Sequence, residues 1–330
     1  MRIMSLKEYE IFNCLIRLSQ EELLSTLEQF LKNRYDKIVK TKNYLYAIGD
    51  IPIALVAHLD TVLSNPPSEI FYDTNKNVIW GINGLGADDR AGIFAILKLI
   101  ARKEKPHIIF TTEEEKGSIG ARQLVMDTPI PFADMNYIIE LDRRGSKDCV
   151  FYQCNNPEFT KYITSFGFEE NFGTFSDISE ICPIWGIAGV NLSIGYKDEH
   201  SLNERLYVDD MFNTIDKVKN MFDDIANLKE KFVYINANPK DLYQKYKIVN
   251  PWYNGALIKC HKCDKQFSDY EMFYVQELSG NYYFWCPDCI SNNVEWCDRC
   301  GEPYEIYDKC TNWCQDCKQE KERANARSKN

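Results

Sequence analysis

Four short apolar runs constrain this chain more than any other feature, because each one leads into residues that titrate or bind metal. Ile51 to Ala57 runs into His58-Leu59-Asp60, and His107 to Phe110 into Thr111-Thr112-Glu113-Glu114-Glu115. Tyr137 to Leu141 ends in Asp142, and Gly189 to Ile194 leads into the stretch that holds His200. Apolar runs of this length, separated by amphipathic helical stretches, read as parallel strands buried between helices. Period-two alternation puts His58 and Asp60 on one face at a sheet edge. One such strand end arises by chance, and a histidine there is more often a surface residue. Successive strand ends converge, since ligands of open α/β sheets bind outside the carboxyl ends of the strands.

The rest of the first 230 residues supplies the layers. Ser5 to Leu18 and Gln20 to Arg34 read as helices, each opened by a Ser-x-x-Glu pair, Ser5 with Glu8 and Ser19 with Glu22. Leu23, Leu24, Leu27, Phe30 and Leu31 share a stripe, which reads as packing on a sheet rather than as a partner site. Lys37 to Lys40 and Tyr44 to Ile48 read as a hairpin, and Asn77 to Trp80 as a short strand. Gly84-Leu85-Gly86-Ala87-Asp88-Asp89 precedes an apolar helix, Ile93 to Ile100. Its acidic pair reads as a helix cap or as a carboxylate held at a helix start to meet a cation, and the two are compatible. Ala121 to Met126 and Pro157 to Phe166 read as helices, Cys149 to Cys154 as a strand, and Val208 to Leu228 as a long closing helix. The expected fold is α/β: a three-layer sandwich with a mixed, mostly parallel sheet flanked by helices, over residues 1–230.

Net charge is −10, which argues against nucleic-acid binding by the whole chain. No run is long enough for a membrane span, and the first residues show no apolar secretion signal. The expected compartment is a reducing cytoplasm. Nine of the thirteen cysteines lie between Cys260 and Cys317. Cys260-x-x-Cys263, Cys286-x-x-Cys289, Cys297-x-x-Cys300 and Cys314-x-x-Cys317 are knuckles with structural-zinc spacing. The simplest arrangement is two consecutive four-cysteine ribbons over 256–318, about two structural zincs, with Cys310 spare; an interleaved pairing is the alternative. His261 reads as a non-ligand, and Tyr282, Tyr283, Phe284 and Trp285 as ribbon core. Residues 231–255 read as a linker and 319–330 as a basic, solvated tail. Ribbons brace a structure or contact protein or nucleic acid, and the sequence leaves that choice open.

The chain has four histidines. His107 opens a strand and reads as structural. His58 and His200, with Asp88, Glu114 or Glu115, and Asp142, form a natural ligand set for two divalent, zinc-like ions. A spare glutamate beside a ligand can serve as general base. Ala57-His58-Leu59-Asp60-Thr61-Val62, Gly86-Ala87-Asp88-Asp89-Arg90-Ala91-Gly92, Glu114-Glu115-Lys116-Gly117, Leu141-Asp142 and Glu199-His200 resemble, in this order, the zinc-dependent exopeptidases and amidohydrolases. That superfamily includes peptidase T, the leucyl and glutamyl aminopeptidases, aminoacylase and acetylornithine deacetylase.

The resemblance implies a role for each residue. His58 and Asp142 would ligate one metal, with Asp60 behind His58 to orient it. Asp88 would bridge both metals, because the superfamily's bridging aspartate stands four residues before the glycine that is Gly92 here. Glu115 and His200 would hold the other metal, zinc or else cobalt or manganese. Glu114 would be the general base on a metal-bridged water that attacks an amide. The implied activity is that of an aminopeptidase on short peptides. The alternatives are a deacylase of N-acyl amino acids, or a ribbon-based binding protein with a relic hydrolase domain. Many relatives insert a lid domain between the last aspartate and the last histidine. Asp142 and His200 are fewer than sixty residues apart, so the core resembles the lidless aminopeptidase branch, although Gly86-Ala87-Asp88-Asp89-Arg90-Ala91-Gly92 is more similar to peptidase T. Arg143 and Tyr196, and beside them Arg144 and Asn203, are candidates for contacting substrate.

Overall fold

The computed structural model describes residues 2–101, 104–132, 134–173, 175–228, 231–237, 257–268, 272–277, 282–290, 294–296, 303–306, 315 and 318. The chain divides into two units, Met1–Tyr246 and Lys247–Asn330. No helix among the described residues is long and apolar enough to cross a membrane.

The first unit opens with α1 (Leu6–Arg17) and α2 (Gln20–Lys32). Each helix starts on a serine that accepts from the amide three residues on, while the glutamate there reaches back to the serine amide. These reciprocal bonds close donors that a helix start leaves open. Leu23, Leu24, Leu27 and Leu31 form the buried stripe of α2. β1 (Lys37–Lys40) and β2 (Tyr44–Ile48) then pair as the expected hairpin.

Next in the chain are β3 (Ile51–His58), β4 (Ile70–Asp73), β5 (Val78–Gly81), α3 (Ala87–Leu99), β6 (Pro106–Thr111) and α4 (Ile119–Asp127). β7 (Tyr137–Arg143), β8 (Asp148–Val150), α5 (Pro157–Ser165), β9 (Glu169–Asn171) and α6 (Asp177–Trp185) follow. β10 (Gly189–Ser193), β11 (Tyr196–Lys197), β12 (Arg205–Tyr207) and α7 (Val208–Asp224) come last. Eight strands make one sheet in the order β1-β2-β6-β3-β7-β10-β8-β9. Its centre, β6-β3-β7-β10, is parallel, with antiparallel pairs on either side. From β3 the chain moves outward to β6, then returns across β3 to β7. The carboxyl end of β3 is therefore the switch point of the sheet, where open α/β folds leave a crevice.

Alternate residues of β3 serve opposite layers. Ile53, Leu55 and Ala57 pack in the core shared with α1, α3 and α7, while Ala54 and Val56 pack in the core shared with α4 and α6. Both faces are covered, which is why the strands are apolar throughout. Each fully buried side chain such as Leu55 contributes about 1.5–3 kcal/mol, enough in sum to hold charged groups at the strand ends. The sandwich and its mostly parallel sheet match the fold expected from the sequence.

Several details differ from the sequence reading. A second sheet, β11-β12-β5-β4, carries the His200 loop between β11 and β12. Only its β5 is expected from the sequence: β11 and β12 are two and three residues long, and the short Ile70-Phe71-Tyr72 run of β4 is passed over. The strand expected over Cys149 to Cys154 ends at Val150, and Tyr152 then takes a left-handed φ of 52°. Part of the stretch that reads as a linker is bonded to the sheet domain. Phe232 N–H donates to Asn136 O at 2.9 Å, and Ala237 N–H to Gln153 O at 2.7 Å.

In the second unit β13 (Leu257–Lys259) pairs with β14 (Gln266–Ser268). β15 (Phe273–Gln276), β16 (Tyr282–Trp285), β17 (Val294–Trp296) and β18 (Pro303–Glu305) form a sheet in the order β16-β15-β18-β17. Among the described residues its buried apolar cluster is Cys260, Met272, Val275, Trp285 and Cys286. Cys297, Cys300, Cys310, Cys314, Cys317 and the basic tail lie outside the described residues.

Candidate metal centres

The strand ends meet at one place. His58 closes β3 and is 1% exposed. Its Nε2 lies 3.0 Å from Asp88 Oδ1 and 3.5 Å from Asp142 Oδ1. The other oxygen of Asp88 lies 3.1 Å from His200 Nε2, which in turn is 2.8 Å from Glu115 Oε1. Two three-residue groups result, His58–Asp88–Asp142 and Asp88–Glu115–His200, and Asp88 is common to both. Donors on a tetrahedral zinc, each about 2.1 Å from it, stand about 3.4 Å apart. Both groups come close to that spacing, and Glu114 lies within the same compass of His58 and Glu115.

The backbone explains why Asp88 faces these groups and Asp89 does not. Both depart from helical geometry inside α3, and the peptide bond between them is cis. Asp89 turns inward and accepts from the amides of Gly92 (2.9 Å) and His58 (3.3 Å). A Cβ on Gly92 would stand 2.3 Å from the Asp89 carboxylate and from Leu141 O, so glycine is the residue that fits there.

Asp60 supports both groups. Its Oδ1 lies 3.2 Å from His58 Nδ1 and accepts the Glu114 amide at 2.9 Å, while Oδ2 accepts the Glu115 amide at 3.1 Å. Tyr196, 2% exposed, donates its hydroxyl to Asp142 Oδ1 at 2.9 Å. It therefore supports Asp142 from below and has no exposed ring to offer a substrate. Asn191 holds the Asp142 backbone from both sides. Arg143 turns to Phe172 O and Asp148, Arg144 pairs with Glu199, and Asn203 sits in an exposed turn. His107 accepts from the Gly49 amide and stacks on Phe132, a structural place.

The sequence reading passes over four more groups at the site. Glu204 accepts from the Gly86 and Asp88 amides. Arg90 donates to four carbonyls, including Leu59 O and Asp60 O. Ser176 is hydrogen-bonded to Glu140, and Thr111 to Asp177, in a buried polar layer beneath Asp142. Asn191 and Glu140 could have been noticed, since each is a polar residue inside an apolar run. Glu204 and Arg90 carry no such mark.

Charge crowding shows in the acidities. Burial, with Asp142 and Asp177 nearby, pushes Glu114 up to about 9. Burial and the Asp88 charge push Asp142 up to about 7. Hydrogen bonds to Asp88 and Glu115 raise His200 to about 11. Burial disfavours the charged form of His58, but Asp142, Asp60 and Asp88 outweigh it and hold the imidazole well above its usual range. Burial also opposes ionisation of Asp88, yet His200 and His58 keep it low. Five convergent donors, three of them acids and two of those pushed up or held down by their neighbours, fit a pair of divalent cations.

A second centre lies in the cysteine-rich unit. Cys260, Cys263, Cys286 and Cys289 bring their sulfurs within 4.8 Å of one another. Cys263 and Cys286 Sγ are 3.8 Å apart, and thiolates about 2.3 Å from a tetrahedral zinc would also be about 3.8 Å apart. Burial raises the Cys260 thiol, but amide donors from Cys286, Cys263 and Lys262 outweigh it and lower the group to about 6. The two knuckles that meet are consecutive in sequence. His261 stands aside, its ring stacked 4.0 Å from that of Tyr283.

Residues 38–170 match the profile of Peptidase family M28. No curated protein matches the chain. Among solved structures, the aminopeptidase PepT of Bacillus cereus is similar at a TM-score of 0.56 and 14% identity, over 66% of this chain and 98% of that one. A tripeptidase of Staphylococcus aureus reaches 0.53 at 15% identity, over 67% and 98%. An aminopeptidase of the archaeon Desulfurococcus kamchatkensis reaches 0.52 at 14%, over 68% and 98%. At these identities the likeness is one of fold. The profile, by contrast, spans the segments that bear His58, Asp88, Glu114, Glu115 and Asp142, so the likeness to metallopeptidases reaches the candidate site itself as well as the fold.

Proposed function

We propose that the first unit is a di-metal aminopeptidase acting on short peptides. The observation that carries this reading is Asp88, whose two carboxylate oxygens face two different histidines in two ligand groups. His58, Asp88 and Asp142 would hold one cation, and Asp88, Glu115 and His200 the other. Bound there, two divalent cations supply Lewis-acid polarisation of the scissile carbonyl and stabilise developing negative charge. Peptides are favoured because the chains of like fold named above are an aminopeptidase and a tripeptidase.

The protein's own groups do the rest. Glu114 would take a proton from the attacking water and deliver it to the leaving amine. Asp60 fixes the Glu114 amide, so the carboxyl swings from a set point. Its raised pKa is that of a buried acid among like charges, and opposite charge placed beside it lowers the value. Glu114→Gln should reduce kcat by about 10²–10⁴ while metal content and fold persist. Unchanged turnover would remove the assignment. Aminoacyl anilides assayed beside N-acyl amino acids test the substrate class, and turnover of the second set alone would make the enzyme a deacylase.

In the same proposal the second unit holds one structural zinc on Cys260, Cys263, Cys286 and Cys289. Among the described residues its buried cluster is small, and metal binding would add folding energy. Cobalt substitution should give the absorption of a tetrahedral thiolate site, and Cys263→Ser should alter it. Recovery of these four cysteines as disulfides from a chain isolated without reductant, and with no zinc bound, would exclude the site.

A further inference from the structure

Glu204 follows His200 by four residues in the loop between β11 and β12, and it is 3% exposed. Its Oε2 accepts the Gly86 amide at 2.5 Å and its Oε1 the Asp88 amide at 2.9 Å. These amides open α3. The N-cap position is Gly86, at a φ of 71°, and it has no side chain to close them. Helix starts leave such donors open. Here the acceptor arrives from more than a hundred residues away. One carboxylate thereby ties two backbones together, one carrying Asp88 and the other carrying His200.

The His200 side of this tie needs an anchor. His200 is half-exposed and takes a φ of 57°, and Asp198 in the same loop takes 58°. Residues other than glycine hold such angles only where the surroundings fix them. Within the loop, Ser201 Oγ donates to Asp198 O at 2.6 Å and the Glu204 amide to Ser201 O at 3.3 Å. The loop is thus a closed turn with two outer attachments, the solvent-facing Arg144–Glu199 pair and the buried Glu204 carboxylate, and only the second reaches the backbone that carries Asp88. His58 and Asp142 differ, because they leave strands of the central sheet and are held by Asp60, Tyr196 and Asn191.

We propose that Glu204 is a positioning residue for one of the two cations: it clamps the His200 loop to the Asp88 backbone and so sets the spacing of the Asp88–Glu115–His200 group. This rests on the di-metal reading above. Both oxygens are in use. Glutamine would keep one acceptor and turn an N–H toward the other amide. Aspartate would keep the charge but fall short by one methylene.

The test is titration of the full chain, stripped of metal and reduced, with zinc alone, in wild type, Glu204→Gln, Glu204→Asp and His200→Ala. Circular dichroism of the metal-free forms serves as the check on fold. In wild type, two equivalents should bind beyond those abolished by Cys263→Ser. In both Glu204 variants one of the two should weaken by about 10–100-fold, the usual effect of losing a residue that orients a ligand, while the other keeps its affinity. His200→Ala should weaken the same equivalent, and adding Glu204→Gln to it should cost little more, since the two act through one loop. Wild-type affinity at both equivalents with only a lower melting temperature would reduce Glu204 to a helix cap and overturn the proposal. Equal weakening of both would overturn it as well. A wild-type chain that binds nothing beyond the cysteine-dependent equivalent would instead overturn the di-metal reading itself, whatever the Glu204 variants do.

Discussion

Glu140 and Asp142 stand two residues apart on one face of β7, and burial raises both carboxyls, but only Asp142 faces His58. Glu140 is fully buried and bonded to Ser176, and burial together with the charges of Asp142 and Asp177 holds its carboxyl well above the usual range. That environment favours the neutral form. Glu140→Gln keeps its shape and charge state, so stability should change by less than about 1 kcal/mol and hydrolysis should persist. Asp142→Asn removes a charge from the proposed His58–Asp88–Asp142 ligand group and should abolish turnover. Assays of both variants on one aminoacyl anilide check this, and equal losses would mean that Glu140 is ionised. His58, Asp88, Glu115, Asp142 and His200 are legible in the sequence because they close apolar runs or precede helices, where packing gives no reason for a charge. Tyr196, Glu204 and Ser176 are illegible because their roles lie in hydrogen bonds to residues 34 to 118 positions away. Only the fold brings those partners together.

Between elements, Arg90 joins the end of α1 to the end of β3. It is 2% exposed, and its guanidinium donates to Leu15 O, Leu18 O, Leu59 O and Asp60 O. Burial lowers the group to about 10, which still leaves it charged at neutral pH. A cation at the last turn of α1 also meets the favourable end of the helix dipole. Arg90→Met keeps much of the stem packing but leaves four carbonyls short of a partner. At about 1–3 kcal/mol per unsatisfied buried acceptor, partly offset by water, the expected loss is about 3 kcal/mol. A lower urea midpoint would report it, and Arg90→Lys should recover only part, since an ammonium cannot span the four oxygens. The long elements are legible from the sequence because apolar runs and Ser-x-x-Glu caps are local signals. β4, β11 and β12 are not, because they exist through pairing across the sheet, β4 and β12 with β5 and β11 with β12. That second sheet positions His200, so the sequence marks the ligand while the element that carries it is hidden.

At the scale of the whole molecule, the metal-free protein should become less stable as pH rises, and metal should reverse this. Burial raises Glu114 to about 9, Asp142 to about 7, Glu204 to about 7 and Asp177 to about 6. An acid raised on folding binds its proton more tightly in the folded state. Its stabilising effect is complete below the unfolded value near 4, and is lost as pH rises through the folded value. His200, raised to about 11 by Asp88 and Glu115, and His58, also raised, work in the same sense from about pH 6.5 upward. Asp88 and Asp60 are lowered, burial notwithstanding, so their contribution fails only in acid below this window. The net slope between about pH 5 and pH 9 is therefore downward without metal. Divalent cations bind the deprotonated ligands and compete with these protons, so their stabilisation should grow over the same range. Melting curves with zinc and with chelator, at about pH 5.5, 7 and 8.5, should show a gap in melting temperature that widens with pH. His58→Ala isolates the contribution of the cysteine-rich unit, because it removes a ligand of the first unit only. Subtracting its gap from that of wild type gives the contribution of the strand-end cluster. A difference that stays flat across the range would mean that these carboxylates and histidines do not exchange protons for metal.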